Sequence, residues 1–269
     1  MLGLIVLAIE ENDSGAAFLP CEDLLGVRIL ARSIAGALPT ETSVSGVLLV
    51  PERLINHIRQ DVVNEFGLDE IDRIIPGSAN RWNALQAGLE ALPKDLEWVI
   101  VQDGHRALTP IGLIDRVLEA ASSGSLGVPA VPTQDVIGEQ DATGKLVAIS
   151  NKSALRIVQG PLVIKRTVLE ELVAKALEDD EGGGDLALYA SQQGLDVAMV
   201  DGDPDNLLIR DQRDIGRSLE AFSRRAVEFA FLYPRGMLPD DPLKDVLASG
   251  SDVDEALFED ETLTEPMDQ

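Results

Sequence analysis

The chain has a single cysteine, Cys21. No intrachain disulfide and no thiol-built metal cluster can form from it, and such usage fits a reducing cytoplasm. Histidine is limited to two residues and aromatics to 4% of the chain. No lysine precedes Lys94, so the first third lacks the usual phosphate anchor. No apolar run reaches the roughly 20 residues that a membrane helix requires. Neither a Walker lysine motif nor a GxGxxG fingerprint is present, which argues against P-loop and dinucleotide enzymes. Positive charge is also short: 22 Lys and Arg stand against 47 Asp and Glu, a net charge of -25. That field repels nucleic-acid backbones and anionic lipid, so neither is an expected partner. A triphosphate would need a local cluster of guanidinium, ammonium and backbone N–H groups.

What is present is apolar strand and helix material. With 45% apolar residues over 269 positions, one large domain can build a core. The opening residues 1–8 are apolar, carry no basic stretch and run into Glu10, Glu11 and Asp13. That pattern suits a buried strand rather than a signal peptide. Strand-length apolar runs at 2–8, 46–50, 73–75, 98–102, 127–129 and 196–200 alternate with helical spacing at 24–38, 51–66, 80–92, 110–122, 167–177 and 185–193. This alternation predicts βαβ units around a mostly parallel sheet. Thr109 before Pro110 reads as a helix start and Gly194 as a helix stop. Residues 131–155 break the rhythm around a turn at 141–144 and predict a β-arm projecting from the sheet. After Phe222 the pattern changes. Residues 226–232 continue a helix, four Pro and Gly residues interrupt it, and 252–269 is acidic and poor in aromatics. The expectation is a domain over 1–222 followed by an extension, 223–269, with a disordered acidic tail that is either simply solvated or docks a basic partner.

In open α/β sheets, ligands bind beyond the carboxyl ends of the strands. Three loops lie there. Residues 9–15 hold Glu10, Glu11 and Asp13, which oppose a bound triphosphate. In residues 76–83, Gly77 and Ser78 let backbone approach a ligand, while Arg81 either contacts phosphate or base or is an exposed arginine beyond a helix cap. Residues 101–106 place Asp103 at a strand end, where a carboxylate can hold the magnesium that bridges phosphates. His105 either titrates usefully or is structural, and His57 lies in a helical stretch. Asp201, Asp203 and Asp205 crowd a later turn, which either binds a divalent cation or is solvated.

Taken in order, the motifs GSANRWNALQAGL (77–89), VQDGHR (101–106), VPAVP (128–132), NKSAL (151–155), VQGP (158–161) and GDPDN (202–206) resemble the methylerythritol 4-phosphate cytidylyltransferase family of isoprenoid biosynthesis. The resemblance spans about residues 2–222. It implies a Rossmann-like nucleotidyltransferase fold with helices on both faces of the sheet, CTP and a sugar or polyol phosphate as ligands, magnesium, and a homodimer joined by the arm. It assigns nucleotide binding to Gly77, Ser78, Arg81 and Asp103, catalytic roles to Arg106 and Lys152, and metal binding to Asp103, with Asp205 of the aspartate-rich turn a second metal candidate. There are departures. The family's arginine and lysine of the first loop have no counterpart in residues 9–23, the second glycine of the 77–81 motif is Ser78, the arm arginine is Lys152, and the late lysine is Leu208. Those absences predict a degraded triphosphate site, weakly active or carried by a non-catalytic pseudoenzyme. The alternative is an active nucleotidyltransferase on methylerythritol phosphate or another sugar or polyol phosphate.

Overall fold

The strand β1 (Leu2–Leu7) is buried along its whole length. Its side chains alternate between two cores, as the two-residue period of a strand requires. Leu4, Val6 and the following Ala8 pack with Leu30, Ile34 and Val62, whereas Ile5 and Leu7 pack with Trp82, Leu85 and Leu89. A strand covered on both faces reads as a near-continuous apolar run, which is why this one is visible in the sequence. The computed structural model describes residues 1–9, 18–134, 137–147, 152–179 and 184–224.

After β1 the described elements are β2 (Asp23–Leu24), β3 (Val27–Arg28), α1 (Ile29–Gly36), β4 (Val44–Val50), α2 (Ile55–Ile58), β5 (Ile71–Pro76), α3 (Arg81–Ala91), β6 (Trp98–Asp103), α4 (Leu113–Ser122) and β7 (Leu126–Pro132). They continue through β8 (Glu139–Gln140), β9 (Leu146–Val147), β10 (Arg156–Val158), β11 (Leu162–Lys165), α5 (Arg166–Glu178), α6 (Leu186–Gln192), β12 (Val197–Asp201) and α7 (Gln212–Arg224). The main sheet has eight strands in the order β10-β7-β11-β6-β1-β4-β5, with β12 also paired to β7. Pairings β1–β4, β1–β6, β4–β5 and β12–β7 are parallel, and only β10 and β11 run against the rest. The expected mostly parallel sheet with helices on both faces is therefore the fold. Among the described residues no helix is long and apolar enough to cross a membrane.

Several expected elements shift, each for a local reason. The helix expected at 24–38 starts only at Ile29, because residues 23–28 form the β2–β3 hairpin. Leu25 (φ 55) and Gly26 (φ 76) take left-handed backbone at its centre, as tight hairpin turns require, and Gly26 N–H donates to Asp23 Oδ1 at 2.9 Å. The helix expected at 51–66 divides into a 3-10 turn Glu52–Leu54, then α2, then π-helical Arg59–Asn64. In that last stretch the adjacent Val62 and Val63 are both buried. The helix expected from Pro110 begins at Leu113, after Gly112 at φ 72. Strands β10 and β11 and helix α7 are additions to the expected set. Around 141–144 the chain turns as a hairpin between β8 and β9, with Asp141 Oδ1 accepting from Thr143 N–H, Thr143 Oγ1 and Lys145 N–H at 2.8, 2.7 and 3.0 Å. The acidic loop with Glu10, Glu11 and Asp13, and the extension from 225 onward with its expected helix at 226–232, lie outside the described residues.

Candidate active site

Register alone assembles one edge of the sheet. Leu7 lies beside Leu49 on one side and Asp103 on the other, and Val50 lies beside Pro76. The chain segments leaving β1, β4, β5 and β6 therefore emerge together, at the carboxyl ends where parallel sheets hold ligands. The ladder continues past the strands: Ala8 N–H donates to Leu49 O at 2.9 Å, Gly77 N–H to Val50 O at 2.8 Å and Gly104 N–H to Leu7 O at 2.8 Å.

Both glycines at this edge are explained by close approach. A Cβ on Gly77 would come within 2.5 Å of Ile9 Cγ2, and one on Gly104 within 2.6 Å of the Ala8 Cβ. Packing of the chain on itself thus accounts for Gly77. Ser78 Oγ accepts from Asn80 N–H at 3.1 Å, and the Asn80 side chain caps α3 by accepting from Trp82 and Asn83 N–H at 2.9 and 3.1 Å. This cap places Arg81 at the first position of α3.

Arg81 faces Asp103, with its Nη1 3.8 Å from Asp103 Oδ2 and each side chain about one-fifth exposed (23% and 22%). The other carboxylate oxygen, Oδ1, accepts from His105 N–H at 3.2 Å and lies 3.2 Å from His105 Nδ1. An ionised carboxylate only accepts, so that second contact places the ring proton on Nδ1. Burial pushes the Asp103 carboxyl up, but the His105 hydrogen bond and the charges of Arg81 and His105 outweigh it and hold Asp103 below the usual carboxylate range. The backbone of Asp103 is fixed as well, its carbonyl accepting from Ser33 Oγ at 2.6 Å and from Arg106 N–H at 3.1 Å.

Arg106 reaches away from this loop and donates from Nη1 to the Asn206 carbonyl at 2.7 Å. Burial pushes its pKa down and Asp103 opposes that shift, with Arg210, Arg81 and Asp185 acting more weakly. The Asn206 turn is held from three sides. Gln159 Nε2 donates to Asp203 O at 2.7 Å and Asn206 O at 3.2 Å, Gln159 Oε1 accepts from Asp203 N–H at 3.0 Å, and Asn206 Nδ2 donates to Gly160 O at 2.8 Å. Beneath the loop, buried Gln102 donates from Nε2 to Ser33 O and Thr109 Oγ1 at 3.1 and 3.2 Å. Finally, Ile209 N–H donates to His105 O at 3.0 Å. The site loop 103–109 is therefore bolted to α1 through Ser33 and to the 203–209 segment through Arg106 and Ile209.

The structure brings together Gly77, Ser78, Arg81, Asp103 and Arg106 from the expected set. Asp205 is engaged elsewhere, its Oδ1 paired with Arg224 Nη2 at 2.8 Å. Lys152 opens the short turn Lys152–Ala154 just before β10, in the arm. Burial pushes the Cys21 thiol up to about 11.

A family model described as IspD, 2-C-methyl-D-erythritol 4-phosphate cytidylyltransferase, matches residues 17–223, from just before the β2–β3 hairpin to the end of α7. The chain belongs to this family. It is 26% identical over 169 residues to the 2-C-methyl-D-erythritol 4-phosphate cytidylyltransferase of Syntrophus aciditrophicus (strain SB), covering 63% of this chain and 72% of that one. To the protein of the same name from Rhodococcus jostii (strain RHA1) it is 32% identical over 164 residues, covering 60% and 70%. A crystal structure of 4-diphosphocytidyl-2C-methyl-D-erythritolsynthase from Anaerococcus prevotii DSM 20548 shares the fold, with a TM-score of 0.71, 17% identity, and coverage of 83% of this chain and 96% of that one.

In this member of the cytidylyltransferase family, no group of three or more His, Cys, Asp or Glu residues that could hold a metal occurs among the described residues. Magnesium bound with a nucleotide needs less, since it keeps several waters and takes one or two carboxylates plus phosphate oxygens. Asp103 fits that demand: it is held ionised at the sheet edge, with Oδ2 making, among the described residues, only the long contact to Arg81. Sequence reading missed the polar residues that position the site, namely Ser33, Gln102, Thr109 and Gln159. One signal was available, a glutamine inside the apolar run of β6. The partners of the other three depend on contacts up to 97 residues apart in the chain, such as Thr109 Oγ1 with Asn206 Oδ1 at 3.4 Å.

Proposed function

We propose that this chain binds CTP and a small sugar or polyol phosphate at the Arg81–Asp103–Arg106 edge and transfers cytidylate between them slowly. The observation that carries the reading is an ionised Asp103 faced by the Arg81 guanidinium, in the same loop as buried Arg106, at the carboxyl edge of a nucleotidyltransferase sheet. In the transfer, an acceptor phosphate oxygen forms a bond to the α-phosphorus of CTP, the bond from that phosphorus to the β-phosphate oxygen breaks, and pyrophosphate leaves. Negative charge grows on the leaving oxygens, and preorganised cations lower the barrier by meeting it. Arg81 and Arg106 are the cations to which we assign that role, with Gly77 and Ser78 placing the backbone against the nucleotide. Asp103 would hold magnesium, which supplies further charge neutralisation when bound. Lys152 contributes a point charge toward the acceptor phosphate where a forked guanidinium would grip it with two bonds.

Slowness follows from what is missing. Residues 9–23 contain no Lys or Arg, and position 208 is leucine. Each lost donor of this kind slows transfer on the order of a hundred- to a thousand-fold, although such losses do not add. We assign a homodimer contact to the arm, where Ile137 and Leu146 are exposed, and a cytoplasmic location.

Purified protein with CTP, magnesium and methylerythritol phosphate should release pyrophosphate at a low but measurable rate, followed by phosphorus NMR, and Asp103→Ala should abolish it. A second reading, a non-catalytic nucleotide-binding relative, is favoured by the same missing cations. It is the correct one if calorimetry detects CTP binding while no acceptor yields pyrophosphate.

A further inference from the structure

The segment after the Asn206 turn returns to the site. Ile209 N–H is bonded to His105 O at 3.0 Å, and the Ile209 side chain is fully buried among Leu24, Leu108 and Phe222. Ile209 is turned into that cluster, while its neighbours Leu208 and Arg210 are half-buried and exposed respectively. Arg210 is thus two positions beyond the leucine that replaces the family's late lysine, and directly beside the loop that carries Asp103 and Arg106. The Arg210 backbone N–H donates to Asp214 Oδ2 at 3.0 Å, while its guanidinium has no partner among the described residues.

We propose that Arg210 is a phosphate-binding residue of this site, replacing from a new position the cation that Leu208 lacks. The assignment rests on the nucleotidyltransferase reading above and extends it to a residue outside the family motifs.

Electrostatics supports it. Among the charges that act on Arg106 are those of Asp103, Arg210, Arg81 and Asp185, so Arg210 lies near enough to Arg106 to oppose its charge. Both carboxylates are already engaged. Asp185 caps α6 by accepting from Ala187 and Leu188 N–H at 2.9 and 3.0 Å, and Asp103 is held by His105 and Arg81. Three guanidiniums gathered in a chain of net charge -25 repel one another and are relieved by an anion between them. A phosphoryl group matches the geometry of guanidinium donors. That group could belong to CTP or to the acceptor, and the two sources are separable.

The test is calorimetric binding of magnesium–CTP and, separately, of methylerythritol phosphate to the full chain and to Arg210→Ala, Arg210→Lys and Arg213→Ala. Arg213 is an exposed cation of α7 and controls for a change of net charge alone. Loss of one charge-assisted contact should weaken one of the two ligands on the order of ten- to a hundred-fold in Arg210→Ala, with partial recovery in Arg210→Lys and little change in Arg213→Ala. The ligand that is weakened identifies the phosphate concerned. Unchanged binding of both ligands by Arg210→Ala, or an equal loss in Arg213→Ala, overturns the assignment and leaves the proposed function standing. If the unaltered chain binds neither ligand, both readings fall together. Unchanged circular dichroism and melting of Arg210→Ala exclude a folding defect.

Discussion

A carboxylate at the end of a buried strand is useful to a cation only while it is ionised, and Asp103 keeps its charge against burial by taking bonds from His105 and facing Arg81. The folded-state pKa lies below that of the unfolded chain, near ~3.9. Ionised Asp103 therefore adds stability that is fully present above that value and is lost as pH falls through the lower folded value. Denaturation should show the native chain more stable than Asp103→Asn at pH 5. Below about pH 4 the gap should shrink. The neighbouring glycine is equally constrained. Gly104→Ala drives a methyl group to within 2.6 Å of the Ala8 Cβ and 3.1 Å of its Cα. This should cost about 1–3 kcal/mol in denaturant midpoints and displace the loop that carries Asp103.

Helix α3 presents Arg81 only because Asn80 caps it, so Asn80→Ala should cost about 1 kcal/mol of stability and weaken CTP binding through a misplaced arginine. Helix α7 acts on the site from the other side. Phe222 is 1% exposed, lies 4.5 Å under the guanidinium of buried Arg32, and packs with Ile209 and Leu108. Phe222→Ala should therefore cost about 3–5 kcal/mol by chemical denaturation, while the exposed Arg224–Asp205 pair contributes no more than about 1 kcal/mol. These elements also mark how far the sequence could be read. β1 and β6 were legible because burial on both faces makes their apolar runs continuous. The β2–β3 hairpin was hidden, since Leu25 at a positive φ looks apolar and helical. β10 and β11 were hidden because three- and four-residue strands have too few positions to show a period. Asp103, Arg81 and Arg106 were legible from a strand end and a helix start. Arg210 and Gln159 were not, because only the folded chain brings Ile209 against His105 and Gln159 against Asn206.

At the scale of the whole molecule, the described core closes with α7, and we place the boundary of the nucleotidyltransferase unit there. A chain ending after Arg224 should melt cooperatively and keep the CTP affinity of the 269-residue chain, as checked by calorimetry. The chain has two tryptophans. Trp98 begins β6, partly exposed, with Lys165 Nζ 5.3 Å from its ring centroid. Trp82 follows Arg81 in α3, fully buried and edge-on to Tyr189 at 5.1 Å. The protein accordingly carries its own optical gauge. With Trp98→Phe, the remaining indole emission comes from the buried residue that follows Arg81 in α3, so a change in that emission on adding CTP would report in solution, without any dye, whether the ligand acts on this helix.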